Sequence, residues 1–162
     1  MKKISIFVGL IMALLVLIYF LNNTTANNAY GISSSKLHAE TREQLKDPNY
    51  QNIIKPADLE SKIASGDGVF VYFYSSACPH CKRTTPVLNP IAEEVGVELE
   101  QFNLLEFDGG WLKYNIEGTP TLVYYKGGKE VDRLADGIRE EGATAGNTEE
   151  DFRNFLTKHK GE

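Results

Sequence analysis

Cysteine is scarce in this chain: its 162 residues hold two, Cys78 and Cys81, beside three histidines and one tryptophan. A bridge between two such close cysteines constrains the unfolded chain little, which sets aside a purely structural disulfide. A closed zinc site needs about four ligands, and His38 and His159 lie near opposite ends of the chain without ligand spacing. No metal is therefore expected. Basic residues are also in deficit, with 17 Lys and Arg against 22 Asp and Glu and a formal net charge of −5. An acidic chain without a basic patch argues against nucleic acid as a partner. No cysteine follows the N-terminal apolar run, which excludes a lipoprotein anchor, and no internal repeat is visible.

That apolar run follows Met1-Lys2-Lys3 and extends without charge from Ile4 to Leu21. It has bilayer-spanning length, about 17–25 residues, whereas a signal-peptide core is about 7–15. The expectation is a membrane anchor at residues 1–21, with the rest of the chain placed outside the cell membrane by the two lysines. Thr24-Thr25-Ala26 is a passable cleavage site, so a removed signal peptide is the alternative. Residues 22–52 then read as an extracytoplasmic tether, polar and small apart from a short helix near Lys36–Lys46 that ends at Asp47-Pro48. Residues 53–162 form the folded domain, and the chain's 42% apolar content is enough for a real core.

The organising stretch of that domain is Val69 to Arg83. A β-branched and aromatic strand, Val69 to Tyr74, leads through a short polar break to Cys78-Pro79-His80-Cys81, after which a helical pattern begins. Cys78 then sits at a helix N-terminus, where unpaired N–H groups and the helix dipole stabilise a thiolate. Pro79 suits the first helical turn. Cys81 lies one turn inward, close enough to form a redox-active disulfide with Cys78. The natural roles are Cys78 as attacking thiol and Cys81 as resolving thiol. His80 can add positive charge beside Cys78, and a stabilised thiolate makes the disulfide more oxidising. No further cofactor is implied.

The remaining pattern gives an edge strand at Ile53-Ile54 and helices over Pro56–Ala64 and Pro79–Val95, the second interrupted at Pro86 and Pro90. Strands follow over Val97–Leu104, Leu122–Tyr125 and Glu130–Leu134. A short helix over Trp111–Tyr114, capped by Asp108, lies between the first two, and a last helix starts at Asn147 or Thr148. Trp111 reads as a packing residue and His159 as a helix-end residue. The alternation implies an α/β fold, a central mixed sheet flanked by helices on both faces.

At Cys78-Pro79-His80-Cys81, Pro86 and Gly118-Thr119-Pro120-Thr121, in this order and spacing, the stretch from Ile53 to His159 resembles the thioredoxin family. The resemblance implies the thioredoxin fold, a cis bond between Thr119 and Pro120, and a substrate chain that pairs with the backbone there. Cys-Pro-His-Cys resembles the active site of DsbA-type oxidases. The compact scaffold looks like small exported proteins of Gram-positive bacteria, of the Bdb type and the bacteriocin transport accessory type. The family's buried acid, six residues before the first cysteine, is here Tyr72, a poor base near neutral pH. Its usual tryptophan before that cysteine is Ala77, and the loop from Ile138 to Gly146 is longer.

The expected function is an extracytoplasmic thiol–disulfide oxidoreductase that oxidises exported cysteine-containing proteins. A membrane redox partner would serve it, either a quinone-linked oxidase or an electron-donating thiol transporter. The alternatives are a reductase or isomerase, as in cytochrome maturation, and a non-catalytic module that holds an exported peptide.

Overall fold

The computed structural model describes residues 2–24 and 28–161, with side chains described for 7–19 and 28–161. These fall into two compact units, Met1–Leu37 and His38–Glu162. The first holds helix α1, Lys2–Thr24, and a 3₁₀ turn at Ser34–Lys36.

The expected membrane anchor is corrected at this point. Among the described residues no helix is long and apolar enough to cross a membrane. The membrane-attached location rested on that anchor and falls with it. The cleavage site proposed at Thr24-Thr25-Ala26 has its Thr25 and Ala26 outside the described residues.

The second unit is built on strand β1, Val69–Tyr74, whose six residues are all buried. Alternation divides them between two cores. Phe70, Tyr72 and Tyr74 face one side and Val69, Val71 and Phe73 the other. Strand β2, Leu99–Asn103, pairs with β1 in parallel. Strand β3, Thr121–Lys126, pairs with β1 antiparallel, and β4, Lys129–Ala135, pairs antiparallel with β3. The strand order is β2-β1-β3-β4.

Helix α2 spans Ala39–Gln44 and is followed by a 3₁₀ turn, Pro48–Tyr50. Helix α3, Pro56–Ser65, buries Leu59 in the Val71 core. Helix α4, Pro79–Val95, and helix α6, Glu149–His159, cover the Tyr72 core with Leu88, Ile91, Phe152 and Leu156. A short helix α5, Gly110–Lys113, sets Trp111 against the Val71 core as packing. The expected mixed sheet with helices on both faces is what the chain forms.

The local differences from the sequence reading have specific causes. Strand β2 starts at Leu99, not Val97, because the Val97 N–H is bound to the Ala92 carbonyl (3.0 Å) in the turn that ends α4. Asp108 does not cap α5 with its side chain; its carbonyl accepts the Trp111 N–H. Ile53 contributes a single parallel bridge to Gln101 in place of a strand. Its neighbours bind the rim of β2, the Gln101 N–H donating to Asn52 O (2.8 Å) and the Ile54 N–H to Gln101 O (3.0 Å). The opposite rim, β4, carries Lys129, Glu130, Asp132 and Arg133. Gly127 and Gly128, both at positive φ (61° and 76°), make the tight turn between β3 and β4. Helix α6 opens with a reciprocal cap between Thr148 and Asp151. His159 is a packing residue: it is buried, stacks on Tyr124 (4.5 Å between ring centroids) and lies 3.0 Å from Asp132.

Candidate active site

Strand β1 ends at Tyr74, and Ser75-Ser76-Ala77 carries the chain to Cys78, the N-cap of α4. The approach is fixed from behind by Asn103 at the end of β2. The Asn103 amide donates to Ser76 Oγ (2.8 Å) and Thr41 Oγ1 (3.3 Å), and its carbonyl oxygen accepts from the N–H groups of Ser76 (3.3 Å) and Leu105 (3.1 Å). Gln44 Nε2 adds a bond to the Ser76 carbonyl at 3.4 Å. A buried side chain that satisfies this many groups sets a loop's geometry closely.

Cys78 is half-buried, with its sulfur in the position an N-cap oxygen would take: the Cys81 N–H donates to Cys78 Sγ at 3.3 Å. The Cys78 thiol donates in turn to the Thr119 carbonyl at 3.4 Å. Burial works against the thiolate, but hydrogen bonds from the Thr119 and Cys81 side chains and from the Cys81 and His80 backbone N–H groups outweigh it, and the Cys78 thiol lies below its ordinary value. Cys81 is fully buried, and that burial pushes its thiol up to about 12. The two sulfurs are reduced here.

Behind Cys81 lies a cluster of phenols. Thr85 Oγ1 donates to the Cys81 carbonyl at 2.8 Å, which uses its only hydrogen. The Tyr72 hydroxyl, 3.3 Å from Thr85 Oγ1, is therefore the donor in that pair. Burial pushes both this phenol and that of Tyr50 above their usual range. Tyr72 stands where the family's buried acid would, and as a neutral donor it takes no proton from Cys81.

The facing wall is the loop before β3. The Thr119–Pro120 bond is cis, as the resemblance implied, and Pro120 is buried. Gly137 packs against it so tightly that a Cβ there would lie 2.5 Å from Thr84 Oγ1 and 3.2 Å from Pro120. Gly137→Ala is expected to cost about 1–3 kcal/mol by overpacking, read as a lowered thermal midpoint. An unchanged midpoint would mean that these three segments have room to part.

His80 and Pro79 are exposed on the rim. Arg83 Nη2 donates to His80 Nδ1 (2.8 Å), which places the ring hydrogen on Nε2. Arg83 also pairs with Glu140, whose Oε1 is 3.7 Å from His80 Nδ1. The six residues read from the sequence thus come together: Cys78, Cys81, Pro79 and His80 at the head of α4, and Thr119 and Pro120 opposite. The sequence reading missed Asn103, Thr41, Tyr50, Thr85 and Glu140. None of these carried a signal in the local sequence. Among the described residues, no group of three or more His, Cys, Asp or Glu side chains could hold a metal ion.

A buried thiol paired with a semi-exposed, acidified one is suited to trading sulfur partners, and with this fold it places the chain among the thiol–disulfide oxidoreductases. The comparison with known sequences narrows the class. The chain belongs to the thioredoxin family, whose profile matches residues 50–157. It is similar to thioredoxin of Chlamydia caviae, 32% identical over 90 residues that cover 55% of this chain and 86% of that protein. Protein disulfide-isomerase of Hordeum vulgare is 32% identical over 95 residues, 51% of this chain but 18% of that protein. The X-ray structure of Fasciola hepatica thioredoxin has a TM-score of 0.53 at 28% identity, covering 67% of this chain and 95% of that one.

The narrower resemblance to exported Gram-positive proteins of the Bdb or bacteriocin-accessory type, and to DsbA, is corrected by these matches. The likeness extends over residues 50–157 and leads to thioredoxins and a disulfide-isomerase. The DsbA reading rested on Pro79 and His80 alone, two exposed residues that leave the scaffold unchanged.

Proposed function

We propose that the chain oxidises dithiols of client polypeptides, with Cys78 as the exchanging sulfur and Cys81 as the resolving one. The observation that carries this reading is the split between the two thiols: Cys78 lies below its ordinary value, while Cys81 is pushed up to about 12 beside a phenol that takes no proton.

In the oxidised enzyme, a client thiolate attacks Cys78 Sγ and the Cys78–Cys81 bond breaks. Cys81 leaves with the electron pair and takes up the proton that the client thiol released. A second client thiolate then attacks the client sulfur of the mixed disulfide and expels Cys78, a good leaving group because its thiolate is stabilised. The client gains a disulfide and the enzyme holds two reduced sulfurs, which a second redox partner reoxidises. Thr119 and Pro120 form the wall along which the client chain lies, and Pro79 and His80 set the rim. In the reducing direction the mixed disulfide is resolved only when Cys81 loses its proton, and the group beside it, the Tyr72 phenol, is a neutral donor that accepts none.

The test is the equilibrium potential of the Cys78–Cys81 pair against glutathione. A value towards about −120 mV, the range of strong donors, is expected; one near about −270 mV would overturn the oxidising direction and leave a reductase.

A further inference from the structure

We infer that the loop Ile138–Gly146 builds a side-chain pocket beside Cys78, and that it receives a lysine or arginine of the client next to the reacting cysteine. The inference rests on the exchange reading above and adds a client chemistry to it.

The loop is a fixed structure. Ile138 and Asn147 form a parallel bridge, and the Ile138 N–H donates to Thr84 Oγ1 on α4 at 2.9 Å. The Arg139 N–H donates to Asn147 O, and the Asn147 N–H to Gly137 O, both at 2.8 Å. The Asn147 amide holds the carbonyls of Ala135 (2.6 Å) and Asp136 (2.9 Å). From its far side, Glu140 reaches across to Arg83 on α4. The loop is thus bound both at its base and across the opening.

Between loop and helix is a pocket of about 230 Å³, bordered by Thr119 and His80 on the site side. Thr119 is the residue whose carbonyl takes the Cys78 thiol, so the pocket opens beside the reacting sulfur. It is smaller than the about 300–1,000 Å³ that hold a whole small-molecule ligand, which points to a side chain as its occupant.

The lining decides which side chain. Ile138, Ala143 and Ala145 give an apolar wall that suits a methylene stem, and Asp136 and Glu140 supply carboxylates. The cations on this side are Arg83, already paired with Glu140, and Arg139, whose Nε donates to Gly146 O at 3.1 Å. Among the described residues no side chain pairs with the Asp136 carboxylate. Its backbone is in the left-handed region (φ 69°), where aspartate and asparagine are tolerated and larger residues are strained. An apolar stem with a cationic head matches both halves of this lining.

The test uses the full chain, oxidised, with dithiol peptides that differ only in the residue after the first cysteine: lysine, leucine or glutamate. The lysine peptide is expected to be oxidised about tenfold faster than the glutamate one at low salt, with leucine between and the gap narrowing as salt screens it. Asp136→Asn keeps the backbone conformation and should bring the lysine-to-glutamate ratio within about twofold. Asp67→Asn removes the same charge before the start of β1, at the end of that strand away from Cys78, and should leave the ratio high. Rates that ignore the side chain, or a ratio lowered equally by both variants, overturn the pocket while the exchange reading stands. Failure of all three peptides to react overturns the exchange reading and the pocket with it.

Discussion

Cys78→Ser is expected to abolish dithiol oxidation outright, because a hydroxyl forms no bond that a client thiolate can exchange. Cys81→Ser should behave differently. It retains the acidified Cys78 sulfur, which joins a client through a mixed disulfide that no second enzyme thiol can resolve. Mixed with a disulfide peptide, that variant should accumulate about one equivalent of covalent adduct by intact mass, released by a small thiol. The two outcomes follow from position: Cys78 is half-buried at the helix terminus, and Cys81 is fully enclosed one turn further in. Multiple turnovers by Cys78→Ser, or an absence of adduct with Cys81→Ser, would reverse or dissolve the two roles.

The second large effect is on stability, and it runs against pH. An unfolded cysteine ionises near about 8.5, whereas folded Cys81 holds its proton up to about 12. Between those values the native state binds more protons than the unfolded one, so stability falls as pH rises. The slope approaches about 1.4 kcal/mol per unit, which amounts to roughly 1.5–2 kcal/mol between pH 8.5 and 10. Cys78 has the opposite sign, since its folded thiol is the more acidic. Its contribution is complete above about 8.5 and is lost only as pH falls through the folded value, so it adds no slope in this window. The phenols of Tyr50, Tyr72, Tyr114 and Tyr125 are also raised by burial and add to the loss as pH approaches their unfolded value of about 10, by at most about 0.4 kcal/mol each at pH 10. Denaturant titrations of the reduced protein at pH 8.5 and 10 measure the loss directly. Cys81→Ser and the oxidised protein should lose less by the Cys81 amount, keeping only the phenols' share; a loss as large as that of the reduced protein in either would assign it to other groups.

The parts of this molecule that were legible in the sequence are those where local pattern and tertiary role agree. Val69 to Tyr74 is apolar at every position because both faces of the strand are covered. Cys78 and Pro79 open α4 because their backbone and side-chain preferences suit an N-terminus. The Gly127-Gly128 turn and the Thr148–Asp151 cap follow the same rule. What stayed hidden depends on long-range contact. Thr41 and Asn103 meet across 62 positions, Asn89 and Gln101 share the Asn49 carbonyl, and Arg83 meets Glu140 from 57 positions away. None of these residues has a local signature. The apolar run of α1 shows the converse: a composition that fits a membrane span does not by itself make one.

The sheet has two rims, and the chain treats them differently. At β2 the backbone of Asn52–Ile54 occupies the free hydrogen-bonding groups of Gln101, and β4 sets lysine, glutamate, aspartate and arginine along its length. Sheets with open margins meet extended strands in search of a partner. Unpaired sheet margins would recruit those strands into amyloid-like stacks, and charged or occupied margins refuse them. Resistance to edge-to-edge aggregation is thus built into the borders of the sheet, well away from the sulfurs.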